Sequence, residues 1–375
     1  MPANEIVRET TLVDVAVSWL AERMPSAWIV ERATRTELDS GNGTTPRADA
    51  LIALRAPNGV YTTLAVETRA QMEPRDVERL LPGLARSLRA LAGFVSLLVV
   101  APWLSERTQE LLASENINYL DLTGNALLKL DNPAVFIQSQ GARRNPNPPE
   151  RGPASIRGAK AARLVRLLAD VKPPYGVREV AAAAGLTAGY VSRLLDALDR
   201  DALVRRGRRG IVKDVDVPAL LRAWAANYDV FKRDLVSSFV AGKGASEPLG
   251  RLATATTPTL VTGSFAAVRL APVAAPSMLV VYCQDVAATA DQLGLLPADE
   301  GANVSLLRPF DDVVWAGAST DDGVSYAAPS QVAVDCLTGN GRMPAEGEAL
   351  LGWMADHEDQ WRARELPRAP STLPP

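Results

Sequence analysis

Apolar and polar positions alternate with different periods along the chain. In Thr11–Met24 the residues Leu12, Val15, Ala16, Trp19 and Leu20 recur at helical spacing. Trp28–Ala33 predicts a short strand. Ala48–Leu54 and Tyr61–Val66 are β-prone runs joined by Ala56-Pro57-Asn58-Gly59, and Asn-Gly between two such runs signals a hairpin. Arg75–Ala92 has a helical pattern that Pro82 and Gly83 interrupt. Phe94–Ala101 is almost continuously apolar, as expected of a strand buried on both faces. A helix over Leu104–Ser114, with Ser105 near its start, leads to short strands over Tyr119–Leu122 and Val135–Gln138. Helices alternating with strands in this way predict an α/β domain over residues 1–141.

The next stretch is helical. Ala161, Leu164, Val165 and Leu168 form one face of Lys160–Asp170. Pro173-Pro174 breaks the pattern, and the alanine-rich Val177–Ala184 ends at Gly185. Thr187 is placed to cap a further helix in which Val191, Leu194, Leu195 and Leu198 form the apolar stripe. Leu203-Val204 and Ile211-Val212 then enclose the turn Arg205-Arg206-Gly207-Arg208-Arg209-Gly210. Three helices followed by a basic hairpin are the layout of a winged helix-turn-helix over residues 155–215. Pro218 opens another helix, expected to reach about Ser237, with Val217, Leu221, Trp224, Tyr228, Phe231 and Leu235 at heptad-like intervals. Over residues 216–240 that seam suits either pairing with a second copy or packing on its own domain. Residues 245–365 mix strands (Thr259–Thr262, Ser277–Cys283) with helices (Phe265–Leu270, Val286–Leu293, Ser330–Leu337, Glu346–Ala355) and predict an α+β domain. The fold class is therefore α/β and α+β multidomain. A proline-rich linker is expected at 142–154, a mobile loop at Thr36–Thr45, and a flexible tail at 366–375, frayed from Trp361 onward.

Charge changes this picture. The chain of 375 residues has a net charge of −3, which looks uninformative until it is divided. Residues 155–213 carry 13 basic and 5 acidic side chains, whereas residues 214–375 carry 11 and 20. A +8 segment next to a −9 segment points to a polyanion partner for the basic one. Two cysteines and one histidine, Cys283, Cys336 and His357, argue against a cysteine zinc site, a disulfide scaffold and histidine-based triads. They also suit the reducing cytosol. No apolar run is long enough to cross a membrane, and no signal peptide is evident. His357 is expected to be exposed in a charged terminal helix.

A helix-turn-helix reads the major groove through the N-terminal half of its second helix. With the apolar stripe turned inward, Thr187, Ala188, Gly189, Tyr190, Ser192 and Arg193 are left to face DNA. Small residues allow close approach, Tyr190 can bond a phosphate, and Arg193 can take a phosphate or a guanine edge. Arg178, on the preceding helix, is better placed for the backbone, and Arg205, Arg206, Arg208 and Arg209 crown the wing. The alternative is a winged helix used for protein contact, its arginines a solvated face. The wording Leu186-Thr187-Ala188-Gly189-Tyr190-Val191-Ser192-Arg193-Leu194-Leu195 resembles the recognition helix of bacterial winged-helix transcription regulators.

In the first domain, Asp49 starts one hairpin strand and Glu67 ends the other, in the text Val66-Glu67-Thr68-Arg69. This resembles the metal site of the PD-(D/E)xK nucleases and their restriction-endonuclease-like fold. That family holds Mg²⁺ between two carboxylates and uses a lysine beside the attacking water. Glu22 on the first helix is a candidate for the acidic set. Arg69 stands where the family has lysine, and arginine cannot act as a base. An active nuclease, a core retained for structure or DNA binding, and an unrelated use all remain open.

Longer passages occur in order: Tyr119-Leu120-Asp121-Leu122-Thr123-Gly124-Asn125-Ala126, Val261-Thr262-Gly263-Ser264-Phe265-Ala266-Ala267, Leu307-Arg308-Pro309-Phe310-Asp311 and Gly323-Val324-Ser325-Tyr326-Ala327-Ala328-Pro329-Ser330-Gln331. They resemble the AbiEi-family antitoxins of type IV toxin–antitoxin systems and related regulators. The resemblance implies a DNA-binding repressor and, in two-gene systems, a separately encoded nucleotidyltransferase-like toxin partner, and a homodimer is the expected assembly. Asp311-Asp312 and Asp321-Asp322 read as surface turns, and Gln331 and Asp335 as fold-ordering groups. The expectation is a cytoplasmic, sequence-specific transcriptional regulator of double-stranded DNA, not an enzyme and without a cofactor. The rival is a Mg²⁺-dependent endonuclease targeted by its winged helix, and an antitoxin acting by protein contact is a further alternative.

Overall fold

The computed structural model describes residues 9–33, 48–79, 95–148, 156–229, 231, 235–309 and 311–367. The expected loop at Thr36–Thr45, the Pro82-Gly83 break, part of the linker and the end of the tail lie outside these residues. The chain divides into two compact units, 1–153 with 200–202, and 154–199 with 203–375.

In the first unit a helix α1 (Glu9–Arg23) precedes a seven-stranded sheet whose strands follow sequence order. They are β1 (Ile29–Arg32), β2 (Ala50–Arg55), β3 (Tyr61–Thr68), β4 (Val95–Ala101), β5 (Asn118–Asp121), β6 (Ala126–Asp131) and β7 (Ala134–Ser139). β3, β4 and β5 run parallel, and the other neighbours are antiparallel. The apolar run in β4 is buried because both sheet faces are covered. Leu98 and Val100 join Leu12, Leu20 and Leu64 on one side, and Leu97 and Val99 join Leu104 and Leu112 on the other. The hairpin turns at Gly59, whose φ of +82° suits glycine, with its N–H donating to the Ala56 carbonyl at 3.0 Å. Sequence reading missed β6, whose inward Ala126, Leu128 and Leu130 alternate with more exposed residues. A helix α2 (Glu106–Ser114) starts at Ser105, whose hydroxyl accepts from the Thr108 N–H. The Asp121-to-Asn125 passage is a structural turn: the buried Asp121 carboxylate accepts from Leu104 N, Thr123 N and Oγ1, and Asn125 N and Nδ2.

The second unit begins with α3 (Gly158–Asp170), α4 (Val177–Ala183) and α5 (Ala188–Arg200), followed by the two-stranded wing β8 (Val204–Arg206) and β9 (Val212–Val215). The next helix, α6, spans only Val217–Ala225, capped by Asp216. The expected helix to Ser237 is thus corrected: residues 235–240 are strand β10. Leu221 and Trp224 are buried in the core of their own unit, and the Tyr228 hydroxyl meets that of Tyr282 at 3.2 Å. The heptad-like spacing reflects a short helix and its continuation packing on that core.

The remaining strands are β11 (Thr259–Thr262), β12 (Leu279–Cys283), β13 (Leu296–Pro297), β14 (Val304–Arg308), β15 (Ser319–Asp321) and β16 (Val324–Tyr326). They form a second seven-stranded sheet in the order β13-β10-β14-β12-β11-β16-β15. Helices α7 (Glu247–Leu252), α8 (Ser264–Ala267), α9 (Val286–Leu293), α10 (Pro329–Leu337), α11 (Met343–Asp356) and α12 (Glu358–Trp361) accompany it. One continuous apolar cluster runs from Ile156 through the winged helix to Met354. The helix-turn-helix is therefore seated on the C-terminal part and shares its core.

Two arginines strengthen that seat. Arg166 of α3, 1% exposed, donates to Asp170, to Gln331 of α10 at 2.9 Å, and to the carbonyls of Val313 and Ala316. Arg362 donates to the carbonyls of Leu168 and Val171. Fraying from Trp361 onward is therefore corrected: Arg362 is buried and Ala363 bridges to Val171. His357 is corrected as well. It is part-buried, stacked on Trp353 with ring centroids 5.0 Å apart.

Candidate nucleic-acid interface

The reading helix forms because its apolar side chains fall on one stripe. Val191, Leu194, Leu195 and Leu198 are buried, and Gly185 (φ +63°) allows the tight turn after α4. Thr187 sets the start of the helix: its carbonyl accepts from Val191 N at 3.1 Å, and its hydroxyl from Tyr190 N at 3.4 Å. Thr187, Ala188, Gly189 and Arg193 are exposed, and Ser192 is half-exposed. Tyr190 is only half-exposed because its ring rests against the core, and that burial raises its hydroxyl pKa. It remains a neutral hydrogen-bonding group at any ordinary pH. Arg178 is exposed on α4.

The wing arginines do different work from one another. Arg206 is engaged within the fold. Its side chain is 14% exposed, ion-pairs with Asp196 on the reading helix, and donates to the Gly210 carbonyl at 3.3 Å. Its backbone N–H donates to Asp199 at 3.1 Å. Gly210 has a φ of +75°, and a Cβ there would lie 2.6 Å from the Arg206 guanidinium. Arg205 is paired with Asp214 across the wing at 2.8 Å, although both are more than half exposed. Arg208 and Arg209 stand exposed at the tip. Lys213, which sequence reading missed, is exposed on β9 with its stem lying over Gly207. Its position between buried Val212 and Val215 was the available signal.

Part of the +8 surplus is neutralised inside the unit. Arg163 pairs with Asp311 at 2.9 Å, Lys172 with Asp359 at 2.7 Å, and Arg166 with Asp170. Lys172 holds the exposed Asp359 carboxyl below its ordinary pKa. These cations neutralise acids of the C-terminal part or of their own helix. Arg178, Arg193, Arg208, Arg209 and Lys213 have no carboxylate partner among the described residues. All five lie on α4, α5 or the wing.

The N-terminal acids are arranged differently. The hairpin register puts Ala50 opposite Val66, which brings Asp49 beside the end of β3. Asp49 Oδ2 accepts from Thr68 N at 2.8 Å and Thr68 Oγ1 at 2.9 Å. Glu67, mostly buried, is ion-paired with Arg69. Glu22 does not join them: it is exposed, 3.6 Å from Arg23. No group of three or more candidate metal ligands occurs among the described residues. In this structure the Glu67 carboxylate is held by the Arg69 guanidinium and Asp49 by Thr68.

Cys283 and Cys336 are buried and unbonded, and burial raises both thiol pKa values, so neither is poised as a nucleophile. Asp311 caps the turn at 312–315, and Asp321 pairs with Arg269. Among the described residues, no helix is long and apolar enough to cross a membrane.

No curated protein and no solved structure matches the chain. Residues 159–208 match the IclR helix-turn-helix domain, a stretch that runs from α3 to the wing tip. With α5 exposed and the unpaired cations around it, that similarity identifies residues 159–208 as a helix-turn-helix DNA-binding domain and supports a DNA-binding transcriptional regulator.

Proposed function

We propose that this protein is a sequence-specific transcriptional repressor that places the N-terminal half of α5 in the major groove and the wing against flanking phosphates. The observation behind this reading is the group of exposed cations on α4, α5 and the wing without carboxylate partners among the described residues. Arg163, Arg166 and Lys172, away from the reading helix and wing, are neutralised internally, while Arg178, Arg193, Arg208, Arg209 and Lys213 on α4, α5 and the wing are left for a polyanion. A homodimer on two half-sites, and an antitoxin-like role beside a separately encoded toxin, belong to the same proposal. Since Leu221 and Trp224 are buried within their own unit, a dimer would have to use another surface.

The test begins with genome-wide recovery of bound DNA, followed by gel shifts on a recovered site and on unrelated duplex at several salt concentrations. Arg193→Ala is expected to cost about 1–3 kcal/mol on the recovered site, the value of a bidentate base contact, and much less on unrelated DNA. Replacing Arg208 and Arg209 together by alanine should weaken both duplexes alike. It should also flatten the slope of log affinity against log salt by roughly 2, one phosphate per arginine. Wild-type affinity and slope in both variants would remove the helix and wing as the reader.

For the N-terminal unit we propose a non-cutting role that needs no metal. The antiparallel β1–β2–β3 followed by a parallel β4 resembles an endonuclease core in order, and this favours the rival reading. The Glu67–Arg69 pair and the Thr68 grip on Asp49 oppose it. Supercoiled plasmid with Mg²⁺ or Mn²⁺ should stay intact with the wild type. Nicking that disappears in Asp49→Ala and Glu67→Ala would make the protein a nuclease instead.

A further inference from the structure

The C-terminal part has a partly open cavity of about 530 Å³ between β10, β14 and the start of α11. Its size is in the range of small-molecule sites. The wall is mixed: Val236, Met278 and Met343 are apolar, Ser264 and Glu346 polar. Glu346 is 5% exposed, yet its recorded hydrogen bond is from the Ser264 hydroxyl, itself buried. No lysine, arginine or histidine lies within ion-pair distance of Glu346 among the described residues. Arg342, one turn earlier, is exposed and lines the cavity as well, but makes no ion pair with Glu346. Buried carboxylates are ordinarily paired, because desolvating a charge without a partner is costly. The first turn of α11 offsets only part of that cost.

Ser264 is held in place from behind. Gly263 adopts φ +64°, and a Cβ there would lie 3.0 Å from Met343 and 3.2 Å from Val280. The preceding Thr262 hydroxyl donates to the buried Asp335 at 2.6 Å. The hydroxyl that faces Glu346 is thus fixed by the fold, as a preformed site requires.

We propose that this cavity binds a small molecule bearing a protonated amine on an apolar body. The ammonium would ion-pair with Glu346 beside Ser264, and the apolar part would lie against Met278, Met343 and Val236. The site does not depend on whether the chain binds DNA, so calorimetry on the full chain reads it directly. The probes are n-hexylamine and hexan-1-ol, which share a six-carbon body and differ in charge at neutral pH. Hexylamine is expected to bind at least about tenfold more tightly than the alcohol, and Glu346→Gln should abolish that preference. Met278→Trp, which puts a larger side chain in the cavity and leaves the carboxylate in the sequence, should abolish binding of both probes. If Glu346→Gln does not fold, the wild-type preference and the Met278→Trp result decide the matter. Equal affinities for amine and alcohol in the wild type, binding unaffected by Met278→Trp, or no binding at millimolar probe would overturn the proposal.

Discussion

Replacing Arg166 by alanine is expected to destabilise the second unit by about 3–5 kcal/mol, the range for removing one partner of a buried charge pair. The guanidinium is 1% exposed and uses all three of its nitrogens, bonding Asp170, Gln331 and the Val313 and Ala316 carbonyls. Its loss leaves the part-buried Asp170 carboxylate without its counter-charge and takes a donor from the Val313 and Ala316 carbonyls, and it opens a void between α3 and α10. Arg222→Ala provides the contrast. Arg222 pairs with Glu348 at 2.7 Å, but both side chains are about half exposed, so the cost should be about 1 kcal/mol or less. Urea unfolding followed by circular dichroism would measure both. A similar small loss in the two variants would show that Arg166 is not the tie between the winged helix and the C-terminal part.

The second large effect concerns pH. Asp335 is buried against Thr262, Tyr282 and Gln331, and burial raises its pKa from 3.8 to about 6. Hydrogen bonds from those three groups and the charge of Arg166 pull it back down, but less strongly. In the folded state the carboxyl therefore holds its proton up to about pH 6, whereas in the unfolded chain it releases it near pH 4. Between these values the folded state binds more protons, so stability falls as pH rises. Above about pH 6 the full cost is present, on the order of 3 kcal/mol for a shift of this size. Asp335→Asn removes the titration. Its own change in hydrogen bonding is independent of pH, so the slope of stability between pH 4 and 7 isolates the carboxyl. The variant should lose a fall of about that size. Identical slopes in the two proteins would mean that Asp335 does not titrate in this window.

Glu346 and Asp335 differ in a way that the sequence does not reveal. Both are acids among apolar residues, at positions 346 and 335. Asp335 is enclosed by three donors from three separate segments, whereas Glu346 has Ser264 beside it and lines a cavity. The text around Gln331 and Asp335 did mark groups that order the fold, because polar residues on an apolar helix need partners. It could not say which partners, since Thr262 and Tyr282 lie more than fifty residues away.

The amino-acid order by itself determined the local elements. An apolar stripe in Ala188–Arg200, the turn at Gly185 and the arginine–glycine wing were legible because helical and strand periods are written in neighbouring residues. The hairpin at Asn58-Gly59 and the buried β4 were legible for the same reason. Short strands such as β6, β15 and β16, with six residues or fewer, carried too little pattern to stand out. The heptad-like run from Val217 misplaced the helix end and left its packing partner open, because burial on a core leaves the same apolar spacing as pairing with a second chain.

Only the tertiary structure decided what each charge does. From composition, residues 155–213 offer thirteen equivalent cations. Folding pairs Arg163 with Asp311, 148 residues away, and Lys172 with Asp359, 187 away. It folds Arg206 back onto Asp196 and leaves Arg193, Arg208, Arg209 and Lys213 exposed. In the same way it closes Arg69 onto Glu67. A net charge sums over residues without regard to position, but a charge's availability depends on what lies within a few ångströms. That distance is fixed by the packing of segments remote in sequence.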